Sequence, residues 1–289
     1  MTLKDIYSSK NKNTVISFEI FPPKNDENGE RLEKVLSHLA VLKNYNPAFV
    51  SLTYGAGGTT QNSSLDIIKR IQNELNLSVM PHFTCVGSSR EQVEKYLQEV
   101  KDLGIKSILA LRGDIPVGIE PLNFDFKYAN ELVEFINSET DFSIGVAGYP
   151  EGHIECDDYD SDLKNLCKKI NAGGEAIFTQ MFFDNSKFFK FSEDLQKLGL
   201  DTPIIAGILP IKSFAQLERM LSMAKVTVTK KLINKLEKYK DNLDDTKKIG
   251  IDFASEQCQA LIESGVKGLH FYTLNTSSSV SKILDNLGF

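Results

Sequence analysis

Eight short runs of β-branched and aromatic residues recur along this chain, and their spacing leaves few architectures open. They lie at Val15–Phe21, Phe49–Tyr54, Ser78–Thr84, Ser107–Leu111, Ser143–Ala147, Ala176–Phe182, Pro203–Ile208 and Gly268–Leu274. Several are apolar without interruption, as in Ile108-Leu109-Ala110-Leu111 and Ile204-Ile205-Ala206-Gly207-Ile208. Strands covered by helices on both faces read this way, whereas a sheet with one wet face alternates. Between the runs, apolar residues fall at helical spacing: Leu32, Val35, Leu36, Leu39 and Leu42 in one segment, and Val93, Tyr96, Leu97 and Val100 in another that stops before Gly104. Further helical patterns cover Asp158–Ile170, Phe253–Ile262 and Val280–Leu287.

Strand starts repeat at roughly 30 residues, the length of one βα unit, until the last interval, which is about twice as long. The surplus, Lys225–Asp245, carries Leu232, Leu236, Tyr239 and Leu243 on one stripe and is predicted to be an added helix. Eight βα units without a domain-sized linker predict an α/β fold, a (β/α)8 TIM barrel, as a single domain over residues 1–289 with the extra helix between strands 7 and 8. The rival, a doubly wound open sheet, calls for a G-x-G-x-x-G turn after the first strand, and the chain has none there.

Composition supports a globular protein with its own core: 41% of 289 residues are hydrophobic and 25% charged. The net charge of −6, from 33 basic and 39 acidic residues, argues against a nucleic-acid partner. The chain lacks an apolar run long enough to span a membrane and a signal-type N-terminus. Cys85, Cys156, Cys167 and Cys258 form no C-x-x-C pair, so a cytoplasmic setting is expected, without disulfides or structural zinc. The histidines show no metal-ligand spacing, and no G-x-S-x-G elbow is present, so neither a metal site nor a serine nucleophile is expected.

In such barrels the chemistry sits where the C-terminal strand ends converge. Polar residues stand at nearly every one: Glu19, Thr53, His82, Arg112 with Asp114, Tyr149 with His153, Gln180, and Tyr272 with Asn275. Glu19 lies within an aromatic and apolar strand that Pro22-Pro23 terminates. Turned into the barrel, its carboxyl would be desolvated and suited to general acid work. Turned outward, or paired with a buried cation, it would be structural, and the residues alone leave both readings open. Asp114 is either a loop partner of Arg112 or a ligand-facing carboxylate. The Gly55–Thr60 turn is rich enough in glycine to cradle an anion but lacks a P-loop lysine. Asp158, Asp162, Asn165 and Lys169 share one helical stripe, which presents a carboxylate, an amide and an ammonium along a groove.

These segments, SFEIFPP, FVSLTYGAGG, PHFTC, ALRGD, VAGYPEGH, TQMFFD, GILP and HFYTLN, resemble in sequence and order those of the methylenetetrahydrofolate reductase family, from Val15 to Leu287. The resemblance implies FAD lying across the strand ends, held by Thr53, His82, Arg112, Gly113, Asp114, Tyr128, Ala129, Tyr149, His153, Asp162, Asn165 and Lys169. It implies NADH or NADPH as hydride donor, a ping-pong reaction, and Glu19 as the acid that protonates N10 of methylenetetrahydrofolate. Asp114 would act beside the flavin and the pterin, with Gln180, Gln216 and Tyr272 contacting the substrates, in a homo-oligomer. Two positions depart from the family pattern: Thr276 stands where YTLNR has arginine, and Met220 where some bacterial members have an aromatic residue. Two other readings compatible with the segments are a flavin-free barrel transferring one-carbon groups from a pterin, and a non-catalytic folate- or flavin-binding barrel.

Overall fold

A computed structural model describes residues 2–8, 13–23, 26, 28–53, 61–114 and 125–289, with the side chains of 61–63 left aside. Eight parallel strands form a closed barrel in chain order: β1 Val15–Ile20, β2 Phe49–Leu52, β3 Val79–Thr84, β4 Ser107–Leu111, β5 Ser143–Gly148, β6 Gly174–Thr179, β7 Ile204–Ile208 and β8 Gly268–Tyr272. The helices are α1 Leu3–Ile6, α2 Glu30–Leu42, α3 Gln61–Leu75, α4 Arg90–Asp102, α5 Ala129–Glu139, α6 Tyr159–Asn171, α7 Asn185–Lys197, α8 Phe214–Met223, α9 Lys230–Lys238, α10 Leu243–Glu263 and α11 Ser278–Leu287.

Local chemistry accounts for the helix limits. Ser89 and Gln92 form a reciprocal capping box that starts α4. Its end is marked by Gly104 at φ +72°, a left-handed conformation that costs glycine little. The predicted stripe of α4 is the one buried, Val93, Tyr96, Leu97 and Val100. Each such large side chain removed from water contributes roughly 1.5–3 kcal/mol before chain entropy is counted.

The surplus between β7 and β8 differs from the prediction. Instead of one helix over 225–245, α9 stops at Lys238. Asn242 then accepts hydrogen bonds from the Asp244 and Asp245 amides and starts α10, which runs on to Glu263. The cap cuts the apparent stripe in two: Leu232 and Leu236 are buried, whereas Leu243 is exposed. The short α1 was not anticipated. Its Leu3 and Ile6, with Tyr7 just after it, close the floor of the barrel against Phe49, Met80, Leu109, Phe178 and Ile205.

Within β1, Ile16, Phe18 and Ile20 pack outward beneath the helices, so Ser17 and Glu19 face the barrel axis. The same parity sends Ser51, His82, His270 and Tyr272 inward. One wall of the interior, spanning β8, β1, β2 and β3, is therefore polar, and Leu109, Ala176, Phe178 and Ile205 belong to the apolar remainder. Gly207 makes room at the junction. A Cβ there would lie 2.1 Å from the Thr179 carbonyl oxygen and 2.9 Å from the Tyr272 ring. We expect Gly207→Ala to lower stability by about 1–3 kcal/mol, read as a lower urea midpoint at unchanged m. A wild-type midpoint would show that the junction yields freely.

Candidate active site

Glu19 is 7% exposed at the C-terminal end of β1. It points into the barrel, and the basic side chains beside it among the described residues are imidazoles rather than lysine or arginine. His82 Nε2 lies 3.6 Å from Glu19 Oε2, and His270 Nε2 lies 3.9 Å from the same oxygen. His82 Nε2 is buried without a hydrogen-bond partner. Burial pushes the His82 imidazole down to about 4; the Glu19 carboxylate opposes that shift, and His270 adds to it. Tyr272 flanks Glu19 from β8. Its hydroxyl donates to the Thr179 carbonyl at 2.8 Å, and burial, with Glu19 and Tyr149 adding to it, holds the phenol protonated.

Across the mouth, a second polar group gathers on β4, β5 and α6. Arg112 Nη2 contacts Glu155 Oε2 at 2.5 Å, so of the two readings of Asp114 the loop pairing with Arg112 is not the one formed among the described residues. Asp114 itself is exposed on the segment after β4. Gly113 adopts φ +84°, and a Cβ there would fall 2.8 Å from Thr84 Cβ, so a side chain is excluded on two counts. Tyr149 packs edge-on against His153 at 4.6 Å between ring centroids, and burial pushes its phenol up to about 12. The His153 amide donates to Asp162 Oδ2 at 3.2 Å.

The α6 stripe is realised in part. Lys169 reaches under the strand ends, where Nζ donates to the Ala147 carbonyl and lies 5.9 Å from the Tyr149 ring centroid. Burial lowers this ammonium to about 8, against the pull of Asp162, and burial raises the Asp162 carboxyl. Asp158 caps the helix by accepting from the Ser161 amide, and Asn165, exposed, accepts from Lys168. Tyr128 and Ala129 sit at the start of α5, where Glu131 accepts from the Tyr128 amide. Thr53 is tied to β1 through its amide, which donates to Ile20. The Gly55–Thr60 turn lies outside the described residues.

Two of the expected substrate contacts have their amides partly committed to main chain. Gln180 Oε1 accepts from the Met181 amide. Gln216 accepts from the Lys212 amide and donates to the Pro210 carbonyl. At the turn where the family pattern has arginine, Lys212 Nζ donates to both Thr276 Oγ1 and the Thr273 carbonyl. Beside them opens a cleft of about 500 Å³ that Phe21, Arg31, Lys34, His38 and Thr276 help to line.

Sequence reasoning passed over His270, Ser17 and Ser51. The available signal was parity: each stands two residues before a strand-end polar residue and so shares its inward face. Among the described residues, no group of three His, Cys, Asp or Glu side chains is arranged to hold a metal ion.

A closed parallel barrel that buries a carboxyl beside two imidazoles at the C-terminal ends of its strands defines an α/β-barrel protein of the (β/α)8 class. Residues 3–288 match the methylenetetrahydrofolate reductase family, and the chain belongs to it. It is 39% identical over 289 residues to methylenetetrahydrofolate reductase (NADH) 1 of Arabidopsis thaliana, covering 95% of this chain and 48% of that protein. It therefore spans about half the length of that plant relative. It is also 37% identical over 274 residues to 5,10-methylenetetrahydrofolate reductase of Pectobacterium carotovorum, covering 94% and 90%. In fold it is similar to a Clostridium thermocellum protein described as binding two copies of 5-methyl-5,6,7,8-tetrahydrofolic acid, with a TM-score of 0.68 at 16% identity, covering 98% and 96% of the two chains.

The His82 shift carries a stability consequence. Its pKa is 6.5 when unperturbed and about 4 when folded, so between those values the unfolded chain binds the extra proton. Stability should thus rise with pH across that window, by at most about 1.4 kcal/mol per pH unit from this group, and the contribution should be lost as pH falls toward 4. Denaturant titrations from pH 4 to 7 should show a shallower slope for His82→Asn than for wild type. Equal slopes would mean the imidazole is not held neutral.

Proposed function

We propose that the chain reduces 5,10-methylenetetrahydrofolate to 5-methyltetrahydrofolate, with FAD as bound cofactor and NADH, or NADPH, as hydride donor in ping-pong order. The observation that carries this reading is Glu19, a carboxyl sequestered at the barrel mouth with no lysine or arginine paired to it among the described residues. NADH is supported by the name of the Arabidopsis relative. The four free thiols suit a reducing, cytoplasmic setting.

The residues at the mouth fit FAD. Lys169 is a desolvated ammonium hydrogen-bonded to a single carbonyl, a match for a diphosphate oxygen. His82 offers an unpartnered buried ring nitrogen, and Gly113 brings backbone close where a side chain cannot fit. Arg112, Tyr149, His153 and Asp162 complete that wall, with Thr53, Asp114, Tyr128, Ala129 and Asn165 at its margins. Bound flavin would supply hydride uptake from the nicotinamide and hydride delivery to the one-carbon unit in separate half-reactions.

The chain's own contribution is proton placement. The bridged methylene of the substrate is a poor electrophile while its five-membered ring is closed. Protonation of N10 lets the C–N10 bond break and leaves the carbon as an iminium on N5, able to accept hydride. Glu19 donates that proton from a site that excludes bulk water. Asp114, Gln180, Gln216 and Tyr272 surround the position the pterin and nicotinamide would share in turn.

Purified protein should be yellow, bleach with dithionite, and regain its colour without oxygen on addition of methylenetetrahydrofolate; a fully flavin-loaded sample that stays bleached would refute the activity. Glu19→Gln should still be reduced by NADH yet fail to pass hydride to the folate, and equal loss of both steps would remove Glu19 from the acid role. Replacing Lys169 by Met should weaken FAD binding about ten- to hundred-fold, the worth of one charge-assisted hydrogen bond. Unchanged affinity in a fluorescence titration would take Lys169 out of the cofactor site.

A further inference from the structure

The barrel interior one layer beneath Glu19 holds a polar cluster that the reaction above does not use. Such layers are ordinarily filled by branched apolar side chains. Here His270 is 1% exposed, and Ser17 and Ser51 are fully buried. The β1–β8 register sets Ser17 against His270 and Glu19 against Tyr272. Ser17 Oγ lies 2.7 Å from His270 Nδ1, and Ser51 Oγ lies 3.3 Å from Nε2. A buried imidazole is costly unless its nitrogens find partners; both do, and Nε2 is also the atom nearest the acid, 3.9 Å from Glu19 Oε2.

Resting on the reading of Glu19 as the acid, we infer that Ser17 and His270 are positioning residues for it. The Ser17 hydroxyl donates to Nδ1, which keeps the imidazole proton on Nε2, where it faces Ser51 and the carboxyl. When Glu19 gives its proton to the substrate nitrogen, the negative charge left on the carboxylate meets the positive end of that N–H dipole. His270 keeps its proton throughout, so it changes the ease of transfer without carrying the proton. The titratable groups facing this pair are His82 from β3 and Tyr272 from β8 beside Glu19, with Tyr7, just after α1, against Ser17 below. Because the N–H favours the ionised acid, its loss should hold Glu19 protonated to higher pH while making it a poorer donor.

The two amide variants separate the ring nitrogens. His270→Gln can present an N–H where Nε2 stood, whereas His270→Asn can do so only near Nδ1. In flavin-loaded protein, the folate half-reaction of His270→Asn should slow about ten-fold more than its NADH half-reaction, and its alkaline limb should move to higher pH. His270→Gln should recover most of the rate. In ¹⁵N-labelled wild-type protein, with or without flavin, the His270 ring should give the Nε2–H tautomer, and Ser17→Ala should shift it toward Nδ1–H. An Nδ1–H tautomer in wild type, or equal loss in both half-reactions with an unmoved limb, would overturn the inference. If instead Glu19→Gln retained folate reduction, the acid assignment itself would fall, whatever His270 did.

Discussion

The seam between β8 and β1 is the constraint from which the rest of this molecule follows. It closes the barrel, and its register places Glu19 beside Tyr272 and Ser17 beside His270. The seam continues past the strands: Thr273 Oγ1 donates to the Glu19 carbonyl at 2.6 Å, while Asn275 accepts from the Phe21 amide and donates to the Phe21 carbonyl. Leu274 and Asn275 both adopt positive φ to make this turn, a conformation that non-glycine residues hold only where surrounding contacts compel it. Glu19 is thereby fixed through its main chain on the β8 side.

Opposite the seam, the β4, β5 and α6 wall follows a different logic. Its groups are charged, and they are desolvated together. Lys169 and Asp162 shift in the directions that burial imposes on a cation and an anion, each moderated by the other. Arg112 is held by Glu155 and His153 is set by Asp162 and Tyr149, so the wall is organised before any ligand arrives. Under the proposed reading, this charged wall would hold the anionic cofactor, while Glu19 on the β1 side would manage the proton.

Much of this was legible in the chain. Uninterrupted apolar runs at βα spacing predicted the barrel, because two-sided burial leaves a composition that one-sided burial does not. The inward-facing polar residues at the strand ends stood out against those runs. Smaller features were hidden for physical reasons. The four residues of α1 are too few for any periodicity to register, and their place in the fold comes from plugging the barrel floor. The Asn242 cap broke a stripe that looked continuous, since a cap competes with helix continuation through backbone hydrogen bonds that side-chain hydrophobicity does not report. His270, Ser17 and Ser51 belong to no local motif, and their chemistry exists only across strands far apart in sequence.

The sequence by itself determined the class of fold and the family, because periodicity and motif order are properties of neighbours along the chain. Only the tertiary structure decided that Glu19 faces inward between two imidazoles, that Arg112 chooses Glu155, that Lys212 donates into the turn at Thr276, and that Ser17 meets His270 one layer beneath Glu19. Those outcomes depend on distances between separate strands, and such distances come into being only when the β8–β1 seam closes.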